Sequence, residues 1–276
     1  MPLIGLQSED GSSTFRWGDI DLARDWRAFL PADPALVAAL IEAQGSRSTL
    51  DPDGVTASKA GTGIRQLWLE DVTDWYARPS DLLSGLLGTI RHGSALVQRD
   101  LFLTEQRFHD EIGSAQIDSF FIPLGLLSDL KTVGWYKLKM ILQHGIDAEA
   151  PGYLWQMNRQ KYLLQANTPH TVKRMILMVV PPDLKGRAVE EAATMGVKDL
   201  CQIDVPEMGE SKTLDYYRRL RDGKLRARTE GNAPWCSKEE TWSGKRCQNV
   251  RWCPVKDACL KTAQNAGIKH PYLDKG

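Results

Sequence analysis

GSAQIDSFFIPLGLLSDLKTV, residues 113–133, is the stretch from which the fold can be read. Its two halves alternate at period two, as strands do, and Pro123, Leu124 and Gly125 between them supply turn chemistry. If the chain folds back about Leu124, Asp118 lies opposite Asp129 across an antiparallel pair. Side chains on a strand alternate faces, so Asp129 and Lys131 point the same way. Three polar groups then converge on one sheet surface. Two neighbouring carboxylates form a hard-oxygen site suited to Mg²⁺ or Mn²⁺. Lys131 is a cation beside them, placed to orient or help deprotonate an attacking water and to offset negative charge on phosphorus. A metal there lowers the pKa of bound water and polarises a phosphoryl oxygen. Taken alone, an Asp-x-Lys sequence occurs often by chance, and a surface hairpin with a salt bridge is the simpler explanation of it. Against it stands the setting, since the charged pair interrupts an otherwise apolar strand and has to be satisfied there.

Working outward, LFLTEQRF (101–108), SAQIDSFFI (114–122) and LLSDLKTV (126–133) each read as one strand. WYKLKMILQHG (135–145) and GYLWQMNRQKYLLQA (152–166) return to helical periodicity. VKRMILMVV (172–180) suits a buried strand, GRAVEEAATMG (186–196) a helix and DLCQIDV (199–205) a last strand, with Cys201 as a packing cysteine. Upstream, the first 30 residues look loosely structured, and PADPALVAALIEAQG (31–45) reads as a short helix. Thr56 or Ser58 can cap a helix through GIRQLWLEDVTDWY (63–76), and another helix is expected over SDLLSGLLGTIRHGSALVQ (80–98). The expected fold is α/β, a central mixed sheet flanked by helices, with a small C-terminal cysteine-rich module. The division expected is an N-terminal helical extension over 1–55, a core over 56–230 and the cysteine module over 231–276.

The chain carries 35 Lys and Arg against 35 Asp and Glu, so net charge gives no hint of a nucleic-acid partner. Its distribution does. Arg218, Arg219, Arg221, Lys224, Arg226 and Arg228 form a dense basic run that either tracks a phosphate backbone or is a solvated helix face. No apolar run is long enough to span a bilayer, and the N-terminus lacks the basic-then-apolar pattern of a secretory signal. A cytoplasmic protein without a membrane partner is therefore expected, and its five cysteines point to thiols or a metal rather than disulfides.

Four of those cysteines, Cys236, Cys247, Cys253 and Cys259, are separated by gaps of ten, five and five residues. A short polar segment cannot bury much apolar area, so a bound metal or cluster would supply its stability. A structural zinc site usually shows a closely spaced cysteine pair, and none occurs here. The longer gaps and Cys253-Pro254 suit an iron–sulfur cluster better, with zinc and free thiols as the alternatives. Trp235, Trp242 and Trp252 in the same segment either contact a nucleic-acid strand or pack round the cysteines.

These residues together resemble the RecB-like branch of the PD-(D/E)XK nucleases. Gly88-Thr-Ile-Arg-His92 is similar to the G-x-x-x-H helix motif of that family. Asp118 after Gly113-Ser-Ala-Gln-Ile is similar to its G-x-x-D strand, Asp129-Leu130-Lys131 to its (D/E)-x-K signature, and Gln156 in Tyr-Leu-Trp-Gln to its glutamine motif. The matched stretch runs over about 56–165. The resemblance implies a restriction-endonuclease-like core. It implies His92, Asp118, Asp129 and the backbone carbonyl of Leu130 as metal ligands, and Lys131 as the catalytic lysine. Gln156 would hold Lys131 or the DNA, and Glu105 would assist from behind. Where the family often has a tyrosine four residues after the glutamine, this chain has Gln160, with Tyr162 close by. The cysteine tail resembles the iron–sulfur nucleases of that branch, the CRISPR-adaptation nucleases and AddB subunits. In those, one cysteine precedes the core, in a segment like VTASKAGTGIRQLWLED. Here that segment has Gly61 and Gly63 and no cysteine, so Cys236 is inferred to take the missing place. The implied activity is a Mg²⁺- or Mn²⁺-dependent exonuclease with a [4Fe-4S] cluster. Its setting would be DNA recombination, repair, or phage or CRISPR DNA processing, with DNA and a recombination or CRISPR-adaptation protein as partners and oligomerisation left open. The alternatives are a non-catalytic nucleic-acid-binding protein that keeps the nuclease fold, and a site-specific endonuclease.

Overall fold

A computed structural model describes residues 3–8, 10–30, 37, 38, 40, 53–79, 82, 100–198, 200–248 and 252–273. In it the 113–133 stretch does fold back. Gly113–Gln116 (β7) and Ser119–Phe121 (β8) lead into a short 3-10 turn at Ile122–Leu124, and Leu126–Thr132 (β9) returns antiparallel to β8. Gly125 closes the turn in the left-handed region, at φ 61°, and its N–H bonds the carbonyl of Ile122. A Cβ at Gly125 would also lie 2.7 Å from the carbonyl oxygen of Thr171, so the turn needs glycine twice over.

Contacts divide the chain into two compact units, residues 53–61 with 88–221, and residues 1–52 with 62–87 and 222–276. In the first unit, Phe102–Thr104 (β5) pairs antiparallel with β8, and Arg174–Val180 (β10) pairs parallel with β9. Cys201–Asp204 (β11) pairs antiparallel with β10, giving a mixed five-stranded sheet in the order β11-β10-β9-β8-β5. A parallel pair needs a crossover. Trp135–His144 (α3), Ile146–Glu149 (α4) and Pro151–Asn167 (α5) provide it between β9 and β10. The core joins Phe120, Leu127, Leu177 and Val179 of the sheet to Leu138, Ile141, Leu154, Met157 and Leu164 of the helices. Met175, Ile176, Leu177 and Val179 are all buried, which is why β10 reads as a continuous apolar run. Arg187–Thr194 (α6) connects β10 to β11, and Cys201 is half-buried against the same core.

The two outer strands differ from expectation. LFLTEQRF is split into β5 and Arg107–His109 (β6), and SAQIDSFFI into β7 and β8. The cause is local. Glu105 takes a left-handed backbone, φ 54°, and bends the hairpin there. Pairing continues through the bend, with the Glu105 N–H on the Asp118 carbonyl at 3.2 Å and the Ile117 N–H on the Gln106 carbonyl at 2.9 Å. Beyond it, β6 and β7 join Val55–Thr56 (β3) in a second sheet of order β3-β7-β6. Asp118 therefore sits at the corner between two sheets.

The second unit holds a three-stranded sheet of Thr14–Arg16 (β2), Leu3–Gln7 (β1) and Trp75–Ala77 (β4). The N-terminal 55 residues, expected as a helical extension, thus contain strands. Leu6 and Phe29 bury there with Val37, and Leu22–Asp25 (α1) is a single turn. Neither Thr56 nor Ser58 caps the next helix. They lie in β3 and a 3-10 turn, and Ile64–Val72 (α2) starts from Gly63 without a side-chain cap. The helix stops at Val72, and Trp75 and Tyr76 belong to β4.

Glu210–Glu230 (α7) follows β11 in the chain, and Lys256–Asn265 (α8) comes after it. Trp68 and Leu69 of α2 bury with Ala227, Ala233, Cys253, Val255 and Cys259. The cysteine segment therefore shares a hydrophobic cluster with residues far upstream. Most of the helices expected over 31–45 and 80–98 lie outside the described residues, as does His92. No helix among the described residues is long and apolar enough to cross a membrane.

Candidate functional site

The register of β8 on β9 sets Ser119 opposite Ser128, which brings Asp118 and Asp129 face to face at the corner. The Asp118 carboxylate is buried, and its Oδ2 accepts the backbone N–H of Leu130 at 2.8 Å. Asp129 is wholly buried. Its Oδ1 accepts two amide donors, Gln156 Nε2 at 3.0 Å and Gln160 Nε2 at 3.1 Å. Its Oδ2 lies 2.5 Å from Lys131 Nζ, a close ion pair that lacks the angles of a regular hydrogen bond. Burial pulls the Lys131 ammonium down, but the Asp129 and Asp118 carboxylates outweigh it and hold its pKa above the usual lysine value. Lys131 is thus a cation at neutral pH. The Tyr153 ring centroid is 5.7 Å from its Nζ, and burial raises the Tyr153 hydroxyl.

Sequence reasoning underused two of these residues. Gln156 holds Asp129 rather than Lys131. Gln160, standing where the family often has tyrosine, shares that work and also donates to the carbonyl of Gln116 at 2.9 Å, tying α5 to the end of β7. Tyr153, Gln156 and Gln160 fall at i, i+3 and i+7, one face of a helix, and that spacing was the available signal. Glu105 accepts a hydrogen bond from Gln116, whose Oε1 takes Arg107 Nη2 at 2.6 Å.

The basic run is largely engaged within the protein. Arg218 lies 3.7 Å from Asp215 and 3.9 Å from Glu111, and Arg221 donates to the Glu111 carbonyl at 2.7 Å. Arg219 sits over the Tyr216 ring. Lys224 is buried 4.0 Å from Asp71, which Arg228 also pairs. Arg226 is exposed.

In the other unit, Cys236, Cys247, Cys253 and Cys259, all free thiols, line one pocket together with Arg65 and His270. Burial pushes the Cys236 thiol up to about 11 and the Cys253 thiol up to about 12, and it raises Cys247 and Cys259 as well. Gly63 is fitted to this arrangement. A Cβ there would lie 2.6 Å from Cys236 Sγ, so the sulfur of Cys236 fills the space that a side chain at 63 would enter. Trp235 packs on Arg65 at 3.9 Å and on His270 at 4.9 Å, whereas Trp242 and Trp252 are exposed and meet edge to face at 5.5 Å.

Among the described residues no three His, Cys, Asp or Glu side chains are grouped tightly enough for one metal ion. A zinc ion would draw four sulfurs into one tetrahedron. An iron–sulfur cluster holds each thiolate on a different iron and needs them further apart. Four thiols lining one pocket supply the donor type that either group takes. At the corner site, two carboxylates match the habit of Mg²⁺, which takes one or two and completes its shell with water and phosphate.

No protein family and no curated protein matches the chain. Among solved structures it is similar to SSO0001, at 14% identity and a TM-score of 0.47, over 82% of this chain and 94% of that one. It is also similar to a phage related exonuclease from Haemophilus somnus 129PT, at 13% identity and a TM-score of 0.33, over 75% of this chain and 86% of that one. Both overlaps are loose.

Proposed function

We propose that the chain is a metal-dependent DNA nuclease that hydrolyses phosphodiester bonds. The observation that carries this reading is the buried Asp129, fixed by Gln156 and Gln160, beside Lys131 and across from Asp118. A fully buried carboxylate held by two amides and one ammonium is costly to desolvate, and functional sites are where such groups cluster. Asp118, Asp129 and the Leu130 carbonyl would hold Mg²⁺ or Mn²⁺, with His92 as the further ligand implied by resemblance. The ion, when bound, supplies Lewis acidity and an acidified water.

The protein's own groups do the rest. The two glutamine amides hold Asp129 in one orientation, so the site needs little rearrangement when substrate arrives. The Lys131 ammonium donates hydrogen bonds to the attacking water and to a non-bridging phosphate oxygen, and its charge offsets the negative charge that builds on phosphorus. Tyr153 covers one side of that ammonium and limits its hydration. An exonuclease acting in recombination, repair, or phage or CRISPR DNA processing is the finer reading. A [4Fe-4S] cluster on Cys236, Cys247, Cys253 and Cys259 would serve as a structural staple, and the four thiols round one cavity support it.

The test is anaerobically purified protein with Mn²⁺ and linear DNA, single- and double-stranded. Wild type is expected to cleave, and Lys131→Ala to be slower by about 10²–10³-fold. No cleavage by wild type on either substrate overturns the reading. DNA binding by both proteins without cleavage favours a non-catalytic nucleic-acid-binding protein instead.

A further inference from the structure

Arg65 is 3% exposed, and among the described residues its guanidinium meets no carboxylate. Its Nε donates to Cys259 Sγ at 3.1 Å. Its Nη1 donates to the Ala233 carbonyl at 2.6 Å and to Asn232 Oδ1 at 3.4 Å, and its plane lies over Trp235. A cation buried that deeply requires a compensating anion. Of the groups it touches, the Cys259 sulfur is the one able to become an anion.

His270, 2% exposed, meets the same sulfur, with Nε2 3.4 Å from Cys259 Sγ. Its other nitrogen decides the tautomer. Nδ1 accepts the backbone N–H groups of Tyr272 at 3.1 Å and Leu273 at 3.2 Å, so it carries no proton and Nε2 carries one. Nε2–H therefore donates to Cys259. If Nε2 ligated a metal, the proton would move to Nδ1 and face two N–H donors. This network makes His270 a donor to a ligand, not a ligand itself. Cys236 and Cys253 take backbone donors, from Gln66 and Val255. Cys259 takes two side-chain donors, one of them a cation.

We propose that Arg65 and His270 are positioning residues that hold Cys259 as a hydrogen-bonded thiolate ligand of an iron–sulfur cluster and bias that cluster toward its reduced state. The proposal rests on the cluster reading above. Reduction adds one negative charge that the cluster shares with its sulfur ligands, and N–H donors on a ligand sulfur stabilise that charge and raise the reduction potential.

The test is a potentiometric titration of the anaerobic holoprotein, with dithionite supplying one electron per cluster, alongside iron and acid-labile sulfide per chain. His270→Phe keeps the ring shape and removes the donor, whereas His270→Gln keeps an amide N–H within reach of the Nε2 position. The expected result is a more negative potential for His270→Phe and for Arg65→Leu, with His270→Gln close to wild type. Loss of the cluster from His270→Phe but not from His270→Gln also supports the proposal. Equal potentials for wild type, His270→Phe and His270→Gln overturn it and leave the cluster standing. Wild type without iron and sulfide overturns the cluster reading and this proposal together. If Arg65→Leu fails to fold, the His270 pair decides.

Discussion

Arg159 and Arg65 are both almost wholly buried, at 0% and 3% exposure, but they are satisfied in different ways. Arg159, on α5, forms a two-pronged ion pair with Asp110, at 2.8 and 2.5 Å, and lies between the rings of Tyr162 and Tyr217. Asp110 in turn accepts the N–H groups of Ile112 and Gly113. That region is electrically complete as it stands, and it fixes the β6–β7 hairpin to the helix that carries Gln156 and Gln160. Arg65 has a comparable aromatic shelf and no carboxylate. On the cluster reading proposed above, its counter-charge would come from the Cys259 sulfur beside it once a cluster displaced the thiol proton. The Arg159 region thus carries its own counter-charge, while the Arg65 region sets a buried cation beside a thiol.

The comparison can be broken at Arg159. Arg159→Met leaves the half-buried Asp110 without its cation and is expected to cost about 2–3 kcal/mol, less than a fully buried pair would because water reaches the carboxylate, read as a lower urea midpoint. Arg65→Met in iron-free protein should cost far less, because there it removes a buried charge that has no anion. Equal losses would mean that Arg65 is already compensated and that the two regions are alike.

Gly63 sharpens the cysteine side. Gly63→Ala forces a Cβ to 2.6 Å from Cys236 Sγ and 2.9 Å from Glu240 Oε2. A loss of about 1–3 kcal/mol is expected, together with a lower iron content per chain. Thermal melts and iron assays on the purified variant check both.

The smallest effect is in acid. Burial pushes the Asp110 carboxyl up, but Arg159 and the two backbone N–H groups outweigh it and hold the pKa below the usual 3.8. A depressed carboxylate stabilises the fold above its unfolded pKa and loses that contribution as pH falls through the folded one. Wild type should therefore lose stability more steeply than Asp110→Asn as pH drops from about 5 toward 1. Parallel pH profiles would show that the pair contributes nothing.

The corner site was legible because strand alternation and one turn determine it. Pro123 to Gly125 set the register, and the register sets Asp118 against Asp129. Gln160 was harder to read, since its role depends on which face of α5 meets β9. The bend at Glu105 left no trace, because the alternation of LFLTEQRF runs straight through it. The four cysteines announced themselves by spacing, but Arg65 did not. It reaches Cys259 across 194 residues, and no local period reports such a contact. The partners of the basic run were hidden for a related reason. Asp71 and Glu111, which engage much of it, lie more than a hundred residues upstream.

Manganese binding tests the corner site most directly. Electron paramagnetic resonance of Mn²⁺ titrated into wild type and Asp118→Asn, with melting curves to verify folding, reads occupancy without depending on turnover. Wild type is expected to bind the ion and Asp118→Asn to lose most of that binding while remaining folded. Equal binding by the two proteins, or none by wild type, would contradict the assignment of Asp118 and Asp129 as a metal site.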